Sequence, residues 1–335
     1  MSAVAQSQAW NQARMIRGER LLRVLHGFLP LGRKYHPLLS AMNGRRGLLA
    51  IPFNQCRLIQ PASWAKQITN QLLNGVDVVP EFRLLAPLAR QQTSGCLLDV
   101  GANIGLYTLL LRSVSGLPII AYEPQPFLFK LLQANIAFNH LANVDARNFA
   151  CGSGRGEIAF SIGINGSVAA GANAGSSAAN SEDGLEAEAR ETQRGKTVVK
   201  VPLTALDDDL DGASSIALLK IDCEGFEFDI LQGALRLIDR HAPALFLEVH
   251  PTLLGRFGHS VEEVLTLLKP HYDLEFWCFD QIRQQTKLGR SLAKFRRPQG
   301  RRYETESAML AAANGRPQPA QIYFIGCSRR RTGIT

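Results

Sequence analysis

Two apolar segments of the chain end in side chains that can carry a proton or bind a metal ion. The segment Leu-Leu-Lys-Ile is followed by Asp222 and Glu224, and the segment Leu-Phe-Leu is followed by Glu248 and His250. Alternate residues of an extended strand point to the same side, so each pair is predicted to share one face. Carboxylates beside an imidazole can act as a general base or as ligands of a metal ion.

A structural explanation is available for each of these pairs. Asp222 can cap the amphipathic helix that follows it, and Glu224 can interact with the dipole of that helix. This explanation accounts for one charged residue but not for Lys220, Asp222 and Glu224 together, because buried charges are costly unless they are paired or functional. A histidine at a strand end is usually structural, so direct roles for Glu248 and His250 stay open alternatives.

A second group of candidate residues surrounds a glycine-spaced turn, Leu-Leu-Asp-Val-Gly-Ala-Asn-Ile-Gly, that leads into a helix. Asp99 can hold this turn or reach a ligand. Gly101 and Gly105 allow a ligand to approach the backbone, and Asn103 tolerates unusual dihedral angles. Glu123 closes the next strand, where an acidic side chain binds ribose hydroxyls. The Gly-x-x-x-Gly spacing disfavours a dinucleotide and favours S-adenosylmethionine.

The elements that must position these residues alternate between strand and helix from about residue 95. The strand candidates are 95–100, 118–123, 143–149, 216–222 and 243–249, and the intervening helices are 104–114, 126–139 and 226–240. Near-continuous apolar strands are typical of a parallel sheet that is buried on both faces. Segments 272–279 and 321–327 are predicted to complete the sheet as an antiparallel hairpin. The pattern therefore predicts an α/β fold with seven mostly parallel strands and helices on both faces.

Two regions lie outside this pattern. Residues 1–90 are predicted to be a helical N-terminal extension that packs on the main domain or on a second subunit, with a membrane surface as the alternative. Residues 91–335 form the main domain. Within it, residues 163–196 are a low-complexity insertion that cannot bury enough apolar surface to fold alone, and its two flanks are predicted to pair as strands.

Composition limits the classes of protein that the chain can represent. The 335 residues are 46% apolar, which suits a globular enzyme, and they contain no apolar run of membrane-spanning length. The six cysteines form no Cys-x-x-Cys pair, which indicates reduced thiols and a cytoplasmic location. The net charge of +8 is concentrated in part at residues 283–302, a stretch that either binds an anionic ligand or is a solvated loop.

Five motifs, taken in order, resemble the FkbM family of S-adenosylmethionine-dependent methyltransferases. They are Leu-Asp-Val-Gly-Ala-Asn-Ile-Gly, Tyr-Glu-Pro-Gln-Pro, Leu-Asp-Asp, Leu-Lys-Ile-Asp-Cys-Glu-Gly-Phe-Glu-Phe-Asp-Ile-Leu-Gln-Gly-Ala and Leu-Glu-Val-His-Pro. The resemblance covers about residues 95–280. It implies a Rossmann-like class I methyltransferase that methylates a hydroxyl of a sugar, glycan or secondary-metabolite-type small molecule.

The resemblance also implies roles for individual residues. The cofactor-binding residues would be Asp99, Gly101, Asn103, Gly105 and Glu123, with Asn148, Ala150 and Cys151 near the adenine. Asp222 and Glu224 would lie near the transferred methyl group. The chemistry of a direct displacement, in which the acceptor hydroxyl attacks the sulfonium methyl group, adds that Asp222 or His250 is the candidate base. Glu224 and Glu248 would orient this base or share a divalent metal ion, whose presence the residues leave undetermined.

Two rival functions remain at this stage. A nucleic-acid methyltransferase is disfavoured because the Asn/Asp-Pro-Pro-aromatic turn of amino-group methylation is absent. A non-catalytic binding or scaffold protein that retains the fold is disfavoured by the intact carboxylates of the fourth and fifth strands. The identity of the acceptor and the oligomeric state are left open by the sequence.

Overall fold

The computed structural model describes most of the chain. The described residues are 13–28, 35–163, 167–168, 188–189, 192, 197–213, 215–279, 300–315, 317–319 and 321–329. The predicted insertion at 163–196 and the basic stretch at 283–302 lie largely outside these ranges, so their predicted roles are not addressed by the structure.

Fifteen strands are found among the described residues. In chain order they are β1 (Arg14–Met15), β2 (Leu48–Phe53), β3 (Cys56–Pro61), β4 (Cys96–Val100), β5 (Ile119–Tyr122), β6 (Val144–Arg147), β7 (Ala150–Cys151), β8 (Gly156–Ser161), β9 (Ser167–Val168), β10 (Val198–Thr204), β11 (Ile216–Ile221), β12 (Ala244–Val249), β13 (Tyr272–Phe279), β14 (Gly300–Tyr303) and β15 (Ile322–Ser328).

Twelve α-helices accompany these strands in the described ranges. They are α1 (Glu19–Phe28), α2 (His36–Asn43), α3 (Ala65–Asn74), α4 (Phe82–Arg90), α5 (Leu106–Val114), α6 (Pro126–Phe138), α7 (Leu206–Asp209), α8 (Glu227–Gln232), α9 (Leu235–His241), α10 (Pro251–Leu254), α11 (Val261–Leu268) and α12 (Glu306–Asn314). Short 3-10 helices cover Ala62–Trp64, Gly75–Val78 and Gly255–Phe257.

The central sheet has the strand order β14-β13-β15-β12-β11-β4-β5-β6. Strands β12, β11, β4, β5 and β6 run parallel, and β15 is antiparallel to both β12 and β13. The predicted parallel sheet with a reversed last strand is therefore confirmed. The predicted number of seven strands was one too few, because Arg301 and Arg302 of the basic stretch belong to β14, an additional edge strand paired with β13. Charged side chains are typical of exposed sheet edges.

Two apolar layers cover the faces of the central sheet. Leu98, Leu219 and Leu245 pack on one face with α8, α9 and α11, whereas Leu97 and Phe246 pack on the other with α5 and α6. Strands β11 and β12 are buried at every position. This burial on both faces explains why their sequences are nearly continuous apolar runs.

The N-terminal region packs on one face of the central sheet and contains both strands and helices. Its β2 and β3 form an antiparallel hairpin, with β1 parallel to β2. The side chain of Asn135 on α6 accepts the Ile59 backbone N–H and donates to the Ile59 carbonyl, which ties this hairpin to the main domain. The domain boundary near residue 90 remains a prediction, because side chains from both sides of it pack together. Trp64 and Phe246, for example, belong to one apolar cluster. Across the described ranges, no helix is both long and apolar enough to cross a bilayer.

The segment predicted as one helix over 226–240 is divided into α8 and α9. The division falls at Gly233, where a Cβ atom would lie 1.9 Å from the Gly152 carbonyl oxygen. The chain therefore needs a glycine where this segment meets a second, smaller sheet, which has the order β7-β10-β8-β9. In that sheet β8 pairs antiparallel with β10, as predicted for the flanks of the insertion.

Candidate active site

A cavity of about 600 Å³ opens at the carboxyl edge of the central sheet. Its walls come from the loops after β4, β5 and β11, from Glu248 of β12, and from the N-terminal region around α3 and α4. Open α/β sheets bind ligands at this edge, and the volume lies in the range of small-molecule sites. The described part of the chain therefore contains a pocket where the sequence predicted one.

The two glycines of the first turn have different tasks in the structure. Gly101 lines the cavity at φ +80°, and a Cβ atom there would lie 2.0 Å from the Asp222 carbonyl oxygen. Gly105 precedes α5 at φ +90°, and a Cβ atom there would meet the Leu132 side chain on α6 at 2.7 Å. Gly101 thus allows the loop after β4 to pack directly against the loop after β11. Gly105 allows close contact between two helices and does not line the cavity.

Asp99 holds the turn from beneath. Its side chain is fully buried, and it accepts hydrogen bonds from Lys220 Nζ at 2.9 Å and from Thr108 Oγ1 at 2.6 Å. Lys220 also donates to the Gly101 carbonyl oxygen at 3.2 Å. Burial by itself would lower the pKa of Lys220, but Asp99 and Asp222 raise it above its usual range. Of the two roles predicted for Asp99, this geometry matches the one of holding the loop.

Glu123 lies at the cavity wall with both carboxylate oxygens oriented by backbone donors. Oε2 accepts the Asn103 N–H and Oε1 accepts the Gln125 N–H, each at 2.8 Å. Burial raises the pKa of Glu123 to about 7, and these N–H bonds oppose the shift. Each carboxylate oxygen has a further lone pair, so Glu123 can also accept hydrogen bonds from ligand hydroxyls.

The residues after β6 divide between the cavity wall and its support. Cys151 and Ala150 line the cavity. Asn148 is not among the lining residues, and its amide donates to the carbonyl oxygens of Glu123 and Pro124 at 2.7 and 3.0 Å. Asn148 therefore fixes the backbone that carries the acidic side chain.

Asp222 and Glu224 both line the cavity, and neither caps a helix. The following helix α8 begins at Glu227, and Phe226 occupies the N-cap position without a side-chain cap. Glu224 has φ +50°, a left-handed conformation that non-glycine residues seldom adopt and that is common at functional sites. The capping explanation of this pair is therefore not supported by the geometry.

His250 lies behind the cavity wall among carboxylates. Its Nδ1 is 2.7 Å from Glu227 Oε1, while Nε2 is 3.4 Å from Glu248 Oε1 and 3.6 Å from Glu224 Oε2. Burial alone would lower the pKa of His250, but Glu227 and Glu248 raise it to about 12. Burial, followed by the charge of Asp222, raises the pKa of Glu248 to about 8. The side chains at the ends of β11 and β12 thus lie close together, as predicted from the alternation of side chains along each strand.

Several residues at this site were not found from the sequence. Glu227 orients His250, and Glu81 accepts a hydrogen bond from the Tyr107 hydroxyl at 2.5 Å beside the cavity. Gln60 of β3 also lines the cavity. Glu227 lies in the motif that follows β11, where its spacing from Glu224 was the only available signal. Nothing in the sequence near Glu81 or Gln60 connects the N-terminal region with this site.

The strand order and the reversed β15 define the Rossmann-like fold of class I methyltransferases, and the cavity lies at the ligand-binding edge of that fold. The profile of the Methyltransferase FkbM domain matches residues 99–276, just over half of the chain. The protein belongs to the FkbM methyltransferase family.

Two curated relatives align with less than half of the chain. Methyltransferase 1 of Beauveria bassiana is 29% identical over 164 residues, which are 43% of this chain and 59% of that protein. Methyltransferase sdnD of Sordaria araneosa is 31% identical over 163 residues, which are 44% of this chain and 62% of that protein. The chain therefore spans about three fifths of the length of these relatives.

A crystal structure of methyltransferase FkbM from Methylobacillus flagellatus is also similar. It is 15% identical with a TM-score of 0.37, and the match covers 78% of this chain and 54% of that chain. The fold is defined by the strand order of the present chain and not by this match.

Proposed function

We propose that the protein is an S-adenosylmethionine-dependent O-methyltransferase that acts on a hydroxylated small molecule. The observation that carries this proposal is the meeting of two groups in one cavity. One group is Glu123 with the glycine turn, the other is Asp222, Glu224 and Glu248, and both groups line the cavity. The first group suits the ribose of an adenosine, and the second suits a cationic sulfonium and a hydroxyl that must lose its proton.

The residues present fit S-adenosylmethionine. Glu123 would bind the ribose hydroxyls, and Ala150 and Cys151 would contact the adenine. The cofactor supplies a methyl group already activated by a sulfonium. Carboxylates at the cavity wall provide a favourable environment for its positive charge. Asp99, Gly105 and Asn148 would support these contacts from behind the wall.

The protein's own contribution is to align the acceptor hydroxyl and to accept its proton. Asp222 is the better candidate for the base, because it lines the cavity. His250 does not line it, and its Nδ1 is engaged by Glu227 at 2.7 Å. Alignment of two reactants can supply about 7–11 kcal/mol of the barrier, and a placed base about 10²–10⁴ in rate.

The N-terminal wall of the cavity supports the proposal of a hydroxylated acceptor. Its lining includes several amide side chains together with the buried indole of Trp64, and the amides are those of Gln60, Gln67, Asn70 and Gln71. Gln60 is fully buried, and its Oε1 has no hydrogen-bond partner among the described residues. A buried acceptor without a partner is costly, so a ligand donor there would be favourable. Amide side chains suit a polyhydroxylated acceptor, such as a sugar, a glycan or a hydroxylated secondary metabolite.

Transfer of a labelled methyl group tests the proposal. The protein would be incubated with S-adenosylmethionine labelled in the methyl group and with a metabolite extract that includes hydroxylated sugars and glycosides. We expect label in small molecules, in a form that resists mild acid and mild base because it is an ether. Label confined to nucleic acid or protein would contradict the proposal.

Replacement of Glu123 by Gln is expected to weaken the binding of S-adenosylhomocysteine about 10- to 150-fold. Hydrogen bonds to a charged group contribute about 1.5–3 kcal/mol, and the amide cannot accept both backbone N–H groups. Calorimetric titration measures this effect. The matched control is Glu157→Gln on β8, whose carboxylate is exposed and lies 3.7 Å from Lys200. Equal affinities of the two variants for S-adenosylhomocysteine would show that Glu123 does not contribute to binding.

A further inference from the structure

We propose that Asp222, Glu248 and His250 bind one divalent transition-metal ion at the cavity wall. One ligand atom from each of these residues lies within 4.8 Å of those from the other two. Such a spacing lets a single ion contact all three after small side-chain rotations. This inference extends the proposed function, since the ion would lie beside the acceptor hydroxyl.

The orientation of His250 is the second observation that points to an ion. Its side chain is 4% exposed, and its Nδ1 is fixed by Glu227 at 2.7 Å. The opposite nitrogen, Nε2, faces the carboxylates and has no hydrogen bond of acceptable geometry among the described residues. A carboxylate behind a histidine is the usual partner that orients a metal-binding imidazole and fixes its tautomer.

The charge around His250 also favours a cation. Glu224, Glu227 and Glu248 all have oxygens within 3.6 Å of this one imidazole. Lys220 does not balance them, because its ammonium group is engaged by Asp99 at 2.9 Å. Metal ligation requires Nε2 without its proton, so binding would be coupled to proton release. A divalent ion then neutralises more of the carboxylate charge than the proton it replaces.

The ligand set indicates the kind of ion. Two carboxylates and one imidazole suit Mn²⁺, Fe²⁺ or Zn²⁺ better than Mg²⁺ or Ca²⁺, which prefer all-oxygen sites. Asp222 and Glu248 line the cavity whereas His250 does not, so the remaining coordination positions would face the cavity. An acceptor hydroxyl can bind there, and the ion would lower the pKa of its proton.

The chemical step balances without another reactant. The hydroxyl proton passes to the Asp222 carboxylate oxygen that does not contact the ion. The acceptor oxygen forms a bond to the methyl carbon as the bond from that carbon to sulfur breaks. The electron pair of the broken bond returns to sulfur, so the sulfonium becomes a neutral thioether.

Binding of Mn²⁺ to the metal-stripped full-length protein tests the inference without reference to activity. Electron paramagnetic resonance measures free Mn²⁺, and displacement by Zn²⁺ is followed in the same samples. We expect one ion per chain, with affinity lowered at least about tenfold in Glu248→Gln and His250→Gln, and about 10- to 100-fold in Glu227→Gln. The matched control is His259→Gln, because His259 also lies near carboxylates, 3.6 Å from Asp229, but outside the cavity lining.

Parallel titrations with S-adenosylhomocysteine separate this inference from the proposed function. If S-adenosylhomocysteine binds but neither Mn²⁺ nor Zn²⁺ binds at one ion per chain, the proposal of a metal site is wrong and the proposed function stands. Unchanged metal affinity in Glu248→Gln, which retains the side-chain volume, also overturns the site. Displacement of Mn²⁺ by S-adenosylhomocysteine would show that the carboxylates hold the cofactor's ammonium group instead.

Discussion

The Asp222→Asn variant is expected to lose methyl transfer by about 10²–10⁴-fold in kcat, the range that a positioned base contributes. Asn has nearly the same shape as Asp but cannot take the hydroxyl proton. Asp222 lies at the end of β11 against Gly101, and the close contact between these loops involves its backbone carbonyl, which the substitution keeps. Binding of S-adenosylhomocysteine should therefore stay near the wild-type affinity.

The loss in Asp222→Asn is measured as single-turnover methyl transfer, with calorimetry of S-adenosylhomocysteine on the same preparation. Asp229→Asn is the matched control, because Asp229 is a partly buried acid on α8 that pairs with His259 and does not line the cavity. We expect this control to transfer methyl groups at the wild-type rate. Full turnover of Asp222→Asn would exclude Asp222 as the base.

The second large effect is expected on stability, from Lys220→Met. Lys220 and Asp99 are both fully buried, and their charged atoms are 2.9 Å apart. Removal of one partner of a buried ion pair leaves the other charge uncompensated, which costs about 3–5 kcal/mol. A globular protein has a total unfolding free energy of about 5–15 kcal/mol, so this loss would be a large share. Urea denaturation followed by circular dichroism measures it.

Two further variants show whether the effect arises from the buried charge. In the double variant Asp99→Asn with Lys220→Met, no charge is left unpaired, so part of the lost stability should return. Lys200→Met removes a cation from an exposed pair, whose contribution is about 1 kcal/mol or less. A Lys220→Met variant no less stable than Lys200→Met would show that the buried pair does not hold the turn after β4.

The sequence allowed the prediction of those features that repeat regularly along the chain. The apolar runs of β4, β5, β11 and β12 identify a parallel sheet, because burial on both faces demands them. Parity along β11 and β12 predicted that Asp222, Glu248 and His250 would converge. The first prediction depends on strand periodicity, which is a local property, and the second depends also on the adjacency of consecutive parallel strands that is typical of this fold class.

The remaining features depend on register and on distant packing, which no local pattern reports. The direct pairing of Lys220 with Asp99 follows from the register of β11 against β4. A glycine is required at position 105 because the chain packs closely against Leu132 on α6, and not because a ligand approaches it. Glu81 and Gln60 reach the cavity because the N-terminal region packs against the sheet, although their neighbours in sequence carry no related motif.

Calorimetric titration of the wild-type protein with S-adenosylhomocysteine shows whether the cavity binds S-adenosylmethionine, on which the proposed function depends. We expect saturable binding of one molecule per chain, weakened in Glu123→Gln and preserved in Glu157→Gln. Absence of binding to the folded wild-type protein at high micromolar concentrations of the compound would contradict it.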